Sequence, residues 1–247
     1  IGSSTDFGRH SAILVGDFLF SAATAAADEQ ALTLREDCAR AFTRRFADMH
    51  AEVALGQYLD ITAEQTPLDP ARTDALSMSD SLEVALHKSA HYSVVHPALL
   101  GAICGASSFD GVATLLDVLE TILTPWGLAF QLRDDDLGVF GDPAVTGKPA
   151  GDDLREGKRT ALLALTWEAS SPDERRALTD VLGVAEASAR QIAAATEIVE
   201  RNGRAAHEAE IARLVADGEA ALDTCDFDED ARAMLRELCA ILTARRA

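Results

Sequence analysis

Aromatic residues are scarce in this sequence, because Phe, Tyr and Trp together account for only 5% of its 247 residues. Hydrophobic residues nonetheless make up 48% of the chain, so alanine and leucine must build most of the interior. Aromatic and β-branched residues concentrate in β-strands, whereas alanine and leucine are strong helix formers. The composition therefore favours close-packed helices over sheets.

Basic residues are also few, since 22 Lys and Arg stand against 41 Asp and Glu and give a formal net charge of −19 at pH 7. Such a surface repels nucleic acid and anionic lipid head groups, so we expect no nucleic-acid partner. An acidic surface usually serves solubility, and it is well tolerated by a protein that uses divalent cations.

Paired cysteines and long apolar runs are missing as well. The four cysteines have no CxxC spacing and lie in apolar helical contexts, which predicts buried, reduced thiols. No apolar run reaches the roughly 18 residues of a membrane span, and no secretory signal is visible. We therefore expect a cytoplasmic protein without an integral membrane segment.

Hydrophobic residues recur at three- and four-residue steps through most of the chain, which predicts helices. The third predicted helix begins with an apparent capping box, Asp80 and Glu83, and Pro97 is expected to kink it. The first four helices are predicted at residues 7–27, 32–65, 80 onward and 110–136, and four or five more follow Lys158. No strand-like run, repeat or linker is apparent, so we expect one all-α domain over residues 1–247.

Three consecutive aspartates, residues 134–136, end the otherwise apolar fourth helix. One face of that helix carries small and polar residues in an unusual order: Gly127, Gln131, Asp134 and Gly138. Two glycines cost about 1 kcal/mol each within a helix, so packing alone would not select this face. We interpret it as the wall of a cavity in which the glycines leave room for a ligand.

The charges around these aspartates predict a metal and anion site. Crowded, partly buried carboxylates are unfavourable until a cation binds, and Mg²⁺ takes carboxylate, water and phosphate oxygens. Residues 138–157 contain five glycines and two prolines, which predicts an ordered loop. Basic residues occur in and after it: Lys148, Arg155, Lys158 and Arg159. This pattern fits a Mg²⁺–diphosphate complex, with a solvated acidic helix end or a calcium loop as the alternatives.

These residues also resemble a known family. The stretch QLRDD at 131–135, followed by GDP, GKP and DLREGKRT, resembles the second aspartate-rich region of the trans-polyprenyl diphosphate synthases. The actinobacterial geranylgeranyl diphosphate synthases are the most similar group. Residues 8–20, 56–60 and 87–93 resemble three further helices of the family, with the motifs AILAGD, GQ-x-x-D and K-T/S-A. The resemblance covers roughly residues 6–165 in the family's order.

The resemblance implies an isoprenoid-synthase-like bundle of antiparallel helices around a central cavity, usually in a homodimer. It implies a prenyltransferase in which Mg²⁺ helps an allylic diphosphate to ionise, and the resulting cation is attacked by isopentenyl diphosphate. The expected product is a trans-polyprenyl diphosphate, with geranylgeranyl diphosphate favoured.

The resemblance also implies roles for single residues. Asp134 would bind Mg²⁺ directly, Asp135 would act through the metal's water shell, and Asp153 would lie near the metals. Lys88 and Lys148 would complete the catalytic set by holding the leaving diphosphate, where negative charge develops. The diphosphate-binding residues implied are Lys88, Ser89, Gln131, Lys148, Lys158 and Gln57.

Two features depart from the family's pattern. The second motif often reads D-D-x-x-D, and its last aspartate falls on Gly138, where we expect a small effect. The first aspartate-rich motif and the arginines for isopentenyl diphosphate belong just before residue 6, where the sequence reads IGSST. We expect these, and the N-terminal helices, to lie upstream of this sequence. The alternatives are a non-catalytic subunit that tunes a prenyl synthase and a class I terpene cyclase.

His87 and His91 stand four residues apart, a spacing that binds zinc in some helices. No third ligand follows at the right step, and Lys88 lies between the two histidines. We therefore expect a polar wall near the diphosphate at this position rather than a metal site.

Overall fold

The computed structural model of the protein describes residues 4–147 and 151–244. Within these ranges it contains twelve α-helices, one 3₁₀ turn and one π-helical segment, and it contains no β-strand. The predicted all-α fold is confirmed. The fold consists of long helices in the N-terminal half and shorter ones after residue 140.

The first half of the described chain contains four long or medium helices that lead to a central fifth one. These are α1 (Ser4–Ala31), α2 (Glu36–Gln65), α3 (Met78–Ala85), α4 (His96–Gly105) and α5 (Phe109–Phe140). A 3₁₀ turn at Thr73–Ala75 precedes α3, and a π-helical segment, Leu86–Val95, joins α3 to α4 without a break.

The second half contains seven helices, of which the first two are only four and five residues long. They are α6 (Pro143–Thr146), α7 (Asp152–Glu156), α8 (Ala161–Ala169), α9 (Pro172–Thr179), α10 (Ala189–Asn202), α11 (Arg204–Asp223) and α12 (Glu229–Thr243). The predicted loop over 138–157 thus includes two short helices. Gly147, Gly151 and Gly157 flank them with φ values of 72°, 74° and 81°, a region that favours glycine.

The start of α3 differs from the sequence prediction. Ser77, not Asp80, is the N-cap, because the Ser77 hydroxyl accepts the backbone N–H of Asp80 at 3.3 Å. Asp80 lies in the first turn instead, where a negative charge favours the helix dipole. Pro97 is the second residue of α4 and directly follows the π-helical segment, and the kink expected there stays a prediction.

Helix α5 is the centre of the core and packs against α11, the π-helical segment, α4 and α12. Trp126 of α5 is fully buried, and its indole N–H donates to the backbone oxygen of Val215 at 3.2 Å. Gly218 of α11 makes this contact possible, because a β-carbon there would lie 2.2 Å from the indole nitrogen. Most of the other buried side chains in this cluster are aliphatic, and Phe42, Cys38 and Cys239 are the exceptions.

Two other glycines bring α2 and α5 against the π-helical segment. A β-carbon at Gly56 would lie 2.4 Å from the backbone nitrogen of Lys88, and one at Gly127 would lie 3.0 Å from Ala90. The interpretation of Gly127 as room for a ligand is therefore wrong, since protein fills that space. The close approach holds the backbone of Lys88 and Ser89 between the two long helices.

All four cysteines are free, with Cys38 and Cys239 buried and Cys104 and Cys225 partly buried. Two helices, α1 and α5, are long and apolar enough to pass a membrane-span criterion based on length and composition. This is weak evidence for a membrane protein, because core helices pass the same test and 39% of the α5 window is buried in the fold. Helix α1 differs from α5 in having no buried residue.

Candidate functional site

A polar cleft of about 200 Å³ opens between α2, α3, the π-helical segment and the C-terminal half of α5. Six of the nine predicted site residues line it: Lys88, Ser89, Gln131, Asp134, Asp135 and Lys158. They come from three separate parts of the sequence, which the helix packing described above brings together. Asp60, Arg159 and Thr160 also line the cleft.

The three consecutive aspartates of α5 have different surroundings, because successive side chains on an α-helix point about 100° apart. Asp134 is exposed and lines the cleft, and Asp135 is buried and accepts the side-chain N–H of Gln131 at 2.8 Å. Asp136 instead accepts two bonds from Arg204, at 3.0 and 3.2 Å. Asp136 is therefore a structural ion-pair partner, and only the first two aspartates belong to the cleft.

Burial raises the pKa of Asp135 to about 8. The hydrogen bond from Gln131 opposes this shift, but the neighbouring carboxylates of Asp153 and Asp134 add to it. A cation bound between these carboxylates would offset both the burial and the repulsion. The donor set of clustered carboxylate oxygens therefore fits a hard divalent cation such as Mg²⁺.

Asp153 reaches this cluster from α7, through the space that Gly138 leaves free. A β-carbon at Gly138 would lie 2.0 Å from Asp153 Oδ2, so the buried carboxylate of Asp153 occupies the site of a side chain at 138. The Lys158 ammonium donates to Asp153 Oδ1 at 2.5 Å and to Glu156 Oε2 at 3.1 Å. Burial alone would lower the pKa of Lys158, but these carboxylates raise it, so Lys158 stays cationic.

Lys88 enters the cleft from the π-helical segment and is held by Asp60 of α2. The Lys88 ammonium donates to Asp60 Oδ2 at 2.5 Å, and the Asp60 side chain is only 12% exposed. Asp60 was not predicted as a site residue, although it is the acidic residue of the GQYLD stretch at 56–60. It fixes the position of the ammonium group in the cleft.

Arg159 is the third cation of the cleft. One of its terminal nitrogens donates to the backbone oxygen of Gly157 at 2.7 Å, but its buried Nε has no hydrogen-bond partner among the described residues. Burial lowers the pKa of this guanidinium. An anionic ligand in the cleft would offset that burial with opposite charge.

Two predicted residues are not brought to the cleft. Gln57 is exposed on α2 and does not line the cleft, although Asp60, three residues further on, does. Lys148 lies outside the described residues. The predicted metal residues Asp134 and Asp135 line the cleft together with Lys88, Ser89, Gln131 and Lys158, and Asp153 is linked to them through Lys158.

The arrangement thus combines carboxylates with ammonium and guanidinium groups in one cleft. Carboxylates alone would bind a cation, and the cations alone would bind an anion. Because the two sets alternate, the cleft fits a complex of a hard cation with a multiply charged oxyanion. The cation would neutralise the carboxylates, and the oxyanion would neutralise the ammonium and guanidinium groups.

Comparison with known proteins gives a consistent result. Residues 3–199 match the family model described as Polyprenyl synthetase. The chain is 32% identical over 200 residues to the short chain isoprenyl diphosphate synthase of Methanothermobacter thermautotrophicus, a match that covers 80% of this chain and 55% of that protein. It is 30% identical over 247 residues to the (2E,6E)-farnesyl diphosphate synthase of Mycobacterium tuberculosis, covering 98% and 64%.

A solved structure is also similar along the whole chain. The geranylgeranyl pyrophosphate synthase from Corynebacterium glutamicum, in complex with isoprenyl diphosphate and magnesium, matches with a TM-score of 0.86 and 37% identity. The match covers 100% of this chain and 66% of that one. The chain therefore spans between about half and two thirds of the length of these proteins.

Proposed function

The chain belongs to the polyprenyl synthetase family, and we propose that its protein is a prenyltransferase that condenses an allylic diphosphate with isopentenyl diphosphate. The proposed product is a trans-polyprenyl diphosphate, with geranylgeranyl diphosphate favoured. The observation that carries this proposal is one cleft in which Asp134 and Asp135 lie with the ammonium groups of Lys88 and Lys158.

In this proposal Asp134, Asp135 and Asp153 hold Mg²⁺. When bound, Mg²⁺ supplies positive charge at the diphosphate oxygens. Asp134 is the exposed member and offers its oxygens to the cleft directly, whereas the other two carboxylates are buried behind it. Burial disfavours the ionised form of a carboxylate, and a nearby cation favours it. The buried carboxylates are therefore more stable in their ionised form when Mg²⁺ is bound.

The cations of the chain act on the leaving group. As the allylic C–O bond breaks, its electron pair moves to a diphosphate oxygen, and Lys88 and Lys158 stabilise the charge that develops there. The double bond of isopentenyl diphosphate then attacks the allylic cation, and a proton is lost. Val84 and Ala85 line the cleft with groups that offer no nucleophile to that cation.

The proposal includes a homodimer in the cytoplasm. Helix α1 supports the dimer, because it exposes seven large hydrophobic side chains: Phe7, Ile13, Leu14, Val15, Phe18, Leu19 and Phe20. A contiguous apolar surface of this kind marks contact with another protein surface.

The direct test supplies the complete protein with Mg²⁺, isopentenyl diphosphate and farnesyl diphosphate, and identifies products by mass spectrometry. The proposal predicts geranylgeranyl diphosphate. Binding of the diphosphates without elongation would support the non-catalytic subunit instead, and a cyclic hydrocarbon product would support the terpene cyclase.

A further inference from the structure

Three histidines surround one partly buried carboxylate beside the cleft. Glu52 of α2 contacts His87 and His91 of the π-helical segment and His96 at the start of α4. None of these four residues lines the polar cleft or has a role in the proposed function. The described part of the chain thus holds a second cluster of ionisable residues. Its basic groups are histidine imidazoles, whereas those of the cleft are lysine and arginine side chains.

The π-helical winding explains how the three histidines reach one carboxylate. With 3.6 residues per turn, His87 and His96 would lie about 180° apart on the helix. The π-helix has i to i+5 hydrogen bonds and about 4.4 residues per turn, so steps of four and five residues return to nearly the same face. His87, His91 and His96 are spaced by these steps, and neighbouring imidazole rings lie 5.9 and 5.8 Å apart.

The geometry is that of a ligand set. Glu52 Oε1 lies 2.6 Å from Nδ1 of His87 and 2.6 Å from Nδ1 of His91. Together the three ligand atoms lie within 4.8 Å of one another. Zn²⁺ bonds of about 2.0–2.1 Å in a tetrahedron separate ligand atoms by about 3.3 Å. To admit the ion, the two 2.6 Å contacts would lengthen by about 0.7 Å, and the widest separation would close by at most about 1.5 Å.

We propose that Glu52, His87 and His91 bind a divalent first-row transition metal, for which Zn²⁺ is the representative ion. Two imidazole nitrogens and one carboxylate oxygen suit such ions, whereas Mg²⁺ prefers oxygen ligands throughout. The third ligand comes from 35 residues before His87 and from another helix. The sequence prediction of a polar wall, made because no third ligand followed nearby, is replaced by this proposal.

His96 supports the metal site without binding the ion. Its Nε2 lies 2.7 Å from Glu52 Oε2, the oxygen that does not contact the other two histidines. A hydrogen bond of this kind orients a metal-binding carboxylate. His96 is 5% exposed, whereas the side chains of Glu52 and His87 are 22% and 28% exposed. The ion therefore has access from solvent, and a water molecule takes its fourth position.

The site would also brace the neighbouring cleft. Lys88 follows His87 directly, and Gly56, one helical turn after Glu52, lies against the backbone of Lys88. A metal that ties α2 to the π-helical segment would therefore hold this backbone contact. The metal proposal stands on its own residues, and its test does not require the prenyltransferase activity.

The experiment titrates metal-stripped, tag-free protein with Zn²⁺ in millimolar Mg²⁺, by calorimetry and with Co²⁺ as a visible-absorption probe. We expect one equivalent per chain in the wild type. Glu52→Gln keeps the shape of the side chain and should weaken binding at least about 100-fold, as should His87→Ala. His96→Gln should weaken it about 10- to 100-fold, the usual effect of losing an outer hydrogen bond to a ligand.

Two controls separate this site from others. His10→Ala removes an exposed histidine of α1 and should leave Zn²⁺ binding unchanged. Asp134→Asn should also leave it unchanged, because Asp134 belongs to the other cluster. Circular dichroism verifies the fold of each variant. Substoichiometric binding by the wild type, or wild-type binding by both Glu52→Gln and His87→Ala, would overturn the proposal.

Discussion

The carboxylate of Asp153 fills the space that any side chain at Gly138 would need, since a β-carbon there would lie 2.0 Å from Asp153 Oδ2. The last aspartate of the D-D-x-x-D pattern would stand at this position. Here a carboxylate from α7 takes that place instead, and Lys158 holds it. The absence of a side chain at Gly138 therefore allows Asp153 to take this position. This gives a physical reason to expect only a small effect from having glycine in place of the motif's last aspartate.

Gly138→Ala should displace Asp153 and weaken the Mg²⁺-dependent binding of pyrophosphate by about tenfold or more, as loss of a supporting carboxylate does at other metal sites. Isothermal calorimetry measures this. Gly101→Ala is the matched control, because Gly101 is also helical and a β-carbon there meets nothing within 4 Å. The control should bind normally and gain up to about 1 kcal/mol of stability. Normal binding by Gly138→Ala would contradict the coupling.

Asp134→Asn should lower the rate of product formation by orders of magnitude while the fold stays intact, because Asp134 is exposed and is the most accessible carboxylate of the cleft. Asp117→Asn is the control, as Asp117 is an exposed aspartate of the same helix outside the cleft. Steady-state kinetics and thermal unfolding check both variants. Near-normal turnover in Asp134→Asn would reject its assignment as a metal ligand.

Lys88→Met should leave the Asp60 carboxylate buried without its 2.5 Å partner and destabilise the protein by about 1–3 kcal/mol. Asp60→Asn in the same chain should recover much of that stability, because no uncompensated charge remains. Urea unfolding measures the free energies, and pyrophosphate calorimetry measures the site. We expect the double variant to regain stability but not binding, and recovery of both would remove Lys88 from the diphosphate site.

His207 of α11 should make stability depend on pH. It is fully buried, neither ring nitrogen has a hydrogen-bond partner among the described residues, and burial lowers its pKa to about 4. The unfolded chain, with a histidine pKa near 6.5, therefore binds a proton that the folded state does not. The free energy of unfolding should fall as pH drops from about 6.5 to 4, by about 3 kcal/mol from this residue.

His207→Leu should remove that part of the pH dependence, since leucine has no group to titrate and needs no hydrogen bond. Urea unfolding at several pH values between 7.5 and 4 provides the measurement. His10→Gln, at an exposed histidine, is the control and should keep the wild-type slope. An unchanged slope in His207→Leu would show that another group causes the loss of stability.

The sequence predicted the all-helical fold and the position of α5, because helical periodicity is local and the chain follows it almost throughout. It also placed Asp134 and Lys88 at the same cavity, on the strength of the family resemblance rather than of spacing, and both residues line the cleft. The roles of the glycines were not predicted correctly. Gly127 and Gly138 were both interpreted as empty space, but Ala90 and Asp153 fill these positions, and only tertiary packing decides which neighbour enters.

The histidine cluster could not be predicted from the sequence for a different reason. Prediction from periodicity assumes α-helical spacing, whereas His87, His91 and His96 share a face only with π-helical winding. Their common partner, Glu52, lies on another helix. Asp60 could have been predicted more easily, because it is the acidic residue of a stretch that resembles a family motif. Its contact with Lys88, however, depends on the close approach of two helices that Gly56 permits.

The proposed function depends most on binding of diphosphate together with Mg²⁺ in the cleft, between carboxylates of α5 and α7 and the ammonium groups of Lys88 and Lys158. Calorimetric titration of pyrophosphate with and without Mg²⁺ tests it directly. We expect pyrophosphate to bind at least about tenfold more tightly with Mg²⁺, and Asp134→Asn to lose that gain. Equal binding with and without Mg²⁺, or an undiminished gain in the variant, would contradict it.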